Sequence, residues 1–316
     1  MIVVMSPGAG ASATAQVVRQ VEAGGFGAFV FHGAERDVIA ILGDPSETLA
    51  ASIATSAGVE RVDATTRPYR LASREVKPEG TVIPIGRAHL GRGFTIIAGS
   101  AEPRPAQELV DLAGAARQDG ADIFWVGRGT SGDWRRDLTG ALDDIRESVG
   151  LPVLVDAWEP SEVDRLSRHA DALMVPAQQM DDRPLLAELG QGDRPIVICR
   201  GHSSRIEEWL MAADRAMQAG LQQVALCEQG IRTYESAVPA TLDFGAIAMA
   251  RRLTHLPLIA NASLPAAHPT EPPAFALAAA AVGANAVILD LQAALDLPAL
   301  ISKLRAIATH AVATPS

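Results

Sequence analysis

The chain is poor in cysteine, with two in 316 residues, and poor in aromatic side chains, at 4%. Two cysteines make no disulfide framework, which points to a reduced, cytoplasmic setting. No Cys/His cluster has the spacing of zinc ligands. A basic excess is also missing. The 27 Lys and Arg residues against 37 Asp and Glu leave a formal net charge of −10, the wrong sign for a nucleic-acid partner, because a phosphate backbone demands a basic face. The longest apolar stretch, Ala274 to Leu289, is interrupted by Gly283 and Asn285 and falls short of the ~20 residues a membrane span needs. The opening MIVVMSPG has neither the basic segment nor the long apolar run of a secretory signal.

What is present is the balance of a globular protein, 48% hydrophobic and 20% charged. At ~150 residues per domain, its length accommodates one large domain and one small one. Residues 1–66 predict strand Ile2–Met5, helix Ala13–Ala23, strands Gly27–His32 and Asp37–Leu42, helix Glu47–Ala57 and strand Glu60–Asp63. The strands are short β-branched runs, and the helices carry apolar residues at three-and-four spacing. The order βαββαβ is that of a ferredoxin-like α+β domain. A polar stretch from Arg67 to Gly80 without clear periodicity reads as a linker, and with a hairpin (Val82–Ile85, Ala88–Leu90) it fills residues 67–93.

From residue 94 to 316, strand and helix patterns alternate. Eight apolar runs stand out: Phe94–Ala98, Ile123–Val126, Pro152–Val155, Ala172–Val175, Pro195–Ile198, Val224–Leu226, Pro257–Ile259 and Ala286–Leu289. They are continuous rather than alternating, as in a parallel sheet buried on both faces. Eight βα units in roughly 220 residues predict a (β/α)8 TIM barrel. An open doubly wound sheet is disfavoured, because Gly127-Arg128-Gly129 lacks the third glycine of a dinucleotide fingerprint.

Barrel chemistry sits where strands end. The strand ends here supply ten pocket candidates: Arg128, Asp156, Gln178, Cys199, Arg200, His202, Glu228, Gln229, Asn261 and Asp290. His202 has the place of a general base, against the commoner surface histidine. Cys199 and Cys227 are set to bind a soft metal together or be oxidised, or else to fill the core. Arg200 and Glu228 either meet a ligand or close an ion pair. Asp156 and Asp290 are an acid–base pair or solvated rim carboxylates. Asp133-Trp134-Arg135-Arg136 reads as the first turn of a helix with an exposed basic face.

Several longer motifs resemble the type I-beta DAHP synthases, which make 3-deoxy-D-arabino-heptulosonate 7-phosphate at the head of the shikimate pathway. MIVVMSPG is similar to the start of that family's regulatory domain, RPYRLASREVKP to its linker, GFTIIAG to its first barrel strand, and IEEWLMAA and LCEQGIRTYE to its fifth helix and sixth strand. THLPLI (Thr254–Ile259) precedes the seventh strand as a similar SHLP motif does there. The resemblance implies a divalent metal held by the Cys of GPC, the His of DPSH, the Glu of VEVH and a late Asp. The matching segments here read GSA (Gly99–Ala101), NASL (Asn261–Leu264) and LDLQ (Leu289–Gln292). Ala101 therefore stands for the Cys, Leu264 for the His and Asp290 for the Glu, and the segment bearing the late Asp is deleted before Asp296. The family's metal-independent cousins replace the Cys with Asn but keep the His, so this pattern is not theirs.

The resemblance also implies cations that grip phosphoenolpyruvate, in LRGG, KPRTSPY, GARN, KRG and ERG motifs. Here the sequence reads WVGR (Trp125–Arg128), a deletion, PAQQ (Pro176–Gln179), CRG (Cys199–Gly201) and EQG (Glu228–Gly230). Trp125, Gln178, Cys199 and Gln229 occupy basic positions, and an anion in a partly desolvated pocket needs those cations.

The expectation is a DAHP-synthase-like pseudo-enzyme without metal or cofactor, a regulatory or assembly paralogue. Its implied partners are further copies of itself as a dimer or tetramer, an active DAHP synthase, and an aromatic amino acid or other small ligand. The alternative is a repurposed metal-independent barrel enzyme, a lyase or transferase.

Overall fold

In the computed structural model, residues 1–64, 67–102, 104–127, 138–291 and 296–312 are described. They form two compact units, Met1–Gly80 with Leu253–His255, and Thr81–Arg252 with Leu256–Ser316.

The first unit is built from β1 (Ile2–Met5), α1 (Ala11–Ala23), β2 (Ala28–His32), β3 (Asp37–Ile41), α2 (Glu47–Ala54) and β4 (Val59–Asp63). The strands pair antiparallel in the order β2-β3-β1-β4, the ferredoxin-like arrangement. Val17 and Val21 of α1 and Ile53 of α2 pack on Val3, Ile39 and Ile41. Ser46 caps α2 by accepting from the Leu49 N–H, which satisfies a donor left open by the first helical turn. The polar stretch after β4 packs within this unit, where Leu253–His255 joins it. The Arg74 N–H donates to the Leu253 carbonyl, Thr254 Oγ1 donates to the Ala72 carbonyl, and His255 Nε2 donates to the Leu71 carbonyl at 2.7 Å.

The second unit opens with a hairpin, β5 (Ile83–Ile85) and β6 (Ala88–Leu90). Eight strands then close a parallel barrel in sequence order: β7 (Thr95–Ser100), β8 (Ile123–Val126), β9 (Val153–Asp156), β10 (Ala172–Val175), β11 (Ile196–Cys199), β12 (Val224–Glu228), β13 (Leu258–Asn261) and β14 (Ala286–Asp290). The helices that follow them are α3 (Ala106–Gln118), α4 (Leu138–Asp144), α5 (Pro160–His169), α6 (Arg183–Gln191), α7 (Ile206–Gln218), α8 (Phe244–Leu253), α9 (Pro272–Ala281) and α10 (Leu297–Val312). Among the described residues no helix is long and apolar enough to cross a membrane.

Alternate strand residues such as Ile97, Trp125, Leu154, Met174, Val197 and Ile259 fill the barrel interior together with Ile83, Ile85 and Leu90 of the hairpin. Gly86 of the hairpin lies against Pro152, and Gly91, just past it, against Pro257, the residues that lead into β9 and β13. The hairpin therefore plugs the N-terminal end of the barrel and leaves the C-terminal end as its mouth. At that end β7 and β8 approach so closely that a Cβ on Gly99 would lie 1.8 Å from the Trp125 carbonyl oxygen. Only glycine fits there.

Several strands run past the last apolar residue of the sequence pattern. β7 continues to Ser100, β9 to Asp156, β11 to Cys199, β12 to Glu228, β13 to Asn261 and β14 to Asp290. Backbone pairing carries on where hydropathy stops. It draws these residues into the barrel wall as buried or half-buried side chains.

Candidate functional site

The strand ends at the barrel mouth enclose a cavity of about 300 Å³. Trp125, Trp158, Met174 and Leu264 give it an apolar side, while Glu102, Asp156, Gln178, His202 and Gln229 supply its polar groups. No lysine or arginine lines it among the described residues. Two carboxylates without a facing cation repel a phosphorylated ligand.

Asp156 ends β9 and is buried, with Oδ1 accepting from the Trp125 indole N–H at 2.9 Å. The tryptophan points inward because it alternates along β8 with outward-facing residues. His202 lies beyond β11, its Nδ1 2.9 Å from the Gly230 carbonyl oxygen. A carbonyl only accepts, so Nδ1 carries the proton and Nε2 is the basic nitrogen.

Arg200 and Glu228 stand behind the cavity as an ion pair. Arg200 Nη1 donates to Glu228 Oε2 and to Asp243 Oδ2, each at 3.0 Å, and Nε donates to the Ser204 carbonyl. Glu228 Oε1 accepts from the Gly230 N–H. Burial pushes the Glu228 carboxyl above its ordinary value, opposed by Arg200 and by the Gly230 N–H. One guanidinium serving two carboxylates has no charge left over for an anion.

Cys199 and Cys227 are Cα partners across β11 and β12, fully buried in the barrel interior. Burial pushes the Cys199 thiol well up, with the Cys227 side chain adding to the effect. The pair packs as small apolar groups. Asn261 Oδ1 accepts from the backbone N–H of Ser263 and Leu264 and turns the chain after β13. Asp290 Oδ2 accepts from the Ala101 N–H at 3.3 Å, and its own N–H donates to Ser263 Oγ at 2.8 Å. β7 and β8 separate the strands that carry Asp156 and Asp290, and each carboxylate takes a different donor.

Of the ten candidates from the sequence, the cavity brings together Asp156, Gln178, His202 and Gln229. Arg200 and Glu228 pair behind it, Asn261 and Asp290 tie strand ends together, Cys199 packs in the interior, and Arg128 lies outside the described residues. Glu102, Trp158 and Met174 were missed as lining residues, and Asp243 as the second partner of Arg200. Met174 was accessible through strand parity. Asp243 carries a signal of another kind, since it accepts from the Ala246 N–H as a cap at the start of α8.

The divalent metal implied by the family resemblance can be tested against these residues. β13, β14 and β7 are consecutive in the barrel, so Leu264, Asp290 and Ala101 belong to one sector of the mouth. They offer an isobutyl group, a single carboxylate that also accepts a backbone N–H, and a methyl group. No three His, Cys, Asp or Glu side chains converge as a metal site among the described residues. This donor set does not fit the metal.

Residues 129–292 match the DAHP synthetase I family, and residues 1–65 match the DAHP synthase ferredoxin-like domain. The phospho-2-dehydro-3-deoxyheptonate aldolase of Thermotoga maritima is 31% identical over 300 residues, covering 92% of this chain and 89% of that protein. A crystal structure of the Thermotoga maritima DAHP synthase has a TM-score of 0.71 and 28% identity, covering 99% of this chain and 97% of that one. The 2-dehydro-3-deoxyphosphooctonate aldolase of Methylobacterium radiotolerans is 27% identical over 172 residues, covering 49% of this chain and 61% of that protein.

Proposed function

For a chain that belongs to the DAHP synthetase I family, as this one does, we propose a role in the shikimate pathway without the condensation itself: a pseudo-enzyme that regulates or assembles with an active synthase in the cytoplasm. The observation that carries this reading is the mouth sector formed by β13, β14 and β7. There Leu264 and Ala101 stand where the resemblance implies metal-ligating side chains, and the Asp290 carboxylate accepts from the Ala101 N–H. The lining, which has no lysine or arginine among the described residues, supports it, because a phosphorylated substrate would enter against Glu102 and Asp156. In this reading residues 1–66 are the sensing domain, residues 94–316 hold the ligand, and residues 67–93, divided between the two units at Gly80, join them.

The direct test is an assay for DAHP formation from phosphoenolpyruvate and erythrose 4-phosphate with Mn²⁺ supplied. No product above background is expected. Turnover within about tenfold of an ordinary enzyme of the family, roughly 1.4 kcal/mol in barrier height, would overturn the proposal.

A second reading, a repurposed metal-independent enzyme, is favoured by one feature. His202 presents a basic Nε2 in a cavity that also holds the buried Asp156 carboxylate. Mass spectrometry of small molecules released from freshly purified protein discriminates the two. A bound organic compound that the protein converts on incubation, and that His202→Ala leaves unchanged, selects the enzyme.

A further inference from the structure

The barrel mouth sorts its side chains by chemistry. Trp158 follows β9 and Leu264 follows β13, four strands apart in a ring of eight, so these two lining residues stand on opposite sides of one cavity. Leu264 is 40% exposed, one of the few large hydrophobic side chains among the described residues that the fold leaves uncovered. A wet apolar side chain on an open surface is ordinary, but inside a concave site it is area that a ligand can remove from water.

Trp125 and Met174, both buried in the barrel interior, close the cavity from below. The Trp125 indole is fixed in advance, because its N–H donates to Asp156 Oδ1 at 2.9 Å and its backbone pairs with β7 and β9. A surface that is already ordered loses little freedom when a ligand lands on it.

The hydrogen-bonding groups lie along one arc between the apolar walls. Gln178, His202 and Gln229 follow β10, β11 and β12, three consecutive strands. The two amides both donate and accept, while His202 offers Nε2 as an acceptor because Nδ1 is tied to the Gly230 carbonyl. A hydroxyl answers this set, since it gives one proton and accepts another.

We propose that the mouth binds a phenol: a flat ring between Trp158 and Leu264, over Trp125, with its hydroxyl toward Gln178, His202 and Gln229. The cavity, at about 300 Å³, has the size of a small site suited to a single ring system. Aromatic rings pack on indoles in offset or edge-on geometry with a gain beyond the area buried. This inference rests on the reading above, in which the mouth has given up a phosphorylated substrate.

Isothermal titration calorimetry on the full chain tests it, with 4-methylphenol, toluene, 4-methylcyclohexanol and phosphoenolpyruvate as probes. 4-Methylphenol is expected to bind at one site per chain. Toluene, without the hydroxyl, should bind about fivefold weaker, the loss expected for one hydrogen bond. 4-Methylcyclohexanol, which keeps the hydroxyl but not the flat ring, should bind about fivefold weaker as well. Trp158→Ala and Leu264→Asn should each weaken 4-methylphenol about tenfold. Because Leu264 is partly exposed, its variant keeps the test sound if Trp158→Ala fails to fold. Arg92→Gln, at an exposed position ahead of β7 at the other end of the barrel, should change nothing.

The inference is overturned if 4-methylphenol does not bind at millimolar concentration, if 4-methylcyclohexanol or toluene binds as tightly, or if Leu264→Asn binds like the parent. Phosphoenolpyruvate separates the two levels. Its binding with DAHP formed in the assay above overturns the reading of the mouth, whereas a protein that makes no DAHP and binds no phenol overturns this inference alone.

Discussion

Arg200 sits with Glu228 on one side, Asp243 on another and the Ser204 carbonyl along its Nε–H, so its removal strands a fully buried carboxylate. Arg200→Leu is expected to destabilise the protein by about 3–5 kcal/mol at neutral pH. Glu228 already titrates above its ordinary value because of burial, and losing the guanidinium raises it further. A raised carboxyl contributes stability below its unfolded value that is lost as pH rises through the folded one. The deficit of the variant should therefore shrink toward acid, as urea denaturation at several pH values would show.

His255 works in the opposite sense. Burial holds it at about 4, below the ordinary histidine value. Its contribution is present above pH 6.5 and lost as pH falls toward 4, about 3 kcal/mol in all. His255→Gln keeps a donor for the Leu71 carbonyl and should flatten that part of the pH–stability curve. Denaturation curves for the two proteins that stay parallel between pH 7 and 4 would refute the assignment.

At the scale of elements, the strand ends decide the chemistry. Placing a thiolate and an imidazole there, Ala101→Cys with Leu264→His, adds two donors to the sector already holding Asp290. The double variant is expected to bind Co²⁺ with the visible absorption of a thiolate site, while the parent protein shows none. The sequence located every barrel strand, because a parallel strand buried on both faces is an unbroken apolar run. It stopped short at their C-terminal ends. Val224–Leu226 reads as a complete strand, yet pairing runs on to Glu228. Hydropathy reports side chains, whereas the ladder is a property of the backbone. Asp156, Gln178, His202 and Gln229 were legible as strand-end positions. Trp158 was legible too, just past Asp156, but Glu102 was not, since loop side chains are placed by tertiary packing that leaves no periodic mark.

At the scale of the whole molecule, assembly is the open quantity. Tyr234 stands fully exposed within Gly230–Glu235, a segment that resembles the family closely. An aromatic side chain left in solvent is a common anchor of an interface. Light scattering is expected to give a homo-oligomer, and Tyr234→Ala should shift it toward smaller species. Mixing with an intact DAHP synthase should change the mass, activity or aromatic amino acid inhibition of that enzyme. No change in any of the three would remove the regulatory role and leave the repurposed enzyme as the better reading.

The first unit also takes Leu253–His255 from far along the chain. Its strands emerge before the barrel during translation, but roughly 175 residues separate Gly80 from the partner of Leu71. At roughly 5–20 residues per second that is about 9–35 seconds of synthesis. Through that interval the nascent domain lacks its partners for the Leu71 and Ala72 carbonyls, so a unit made before the barrel is completed only with it.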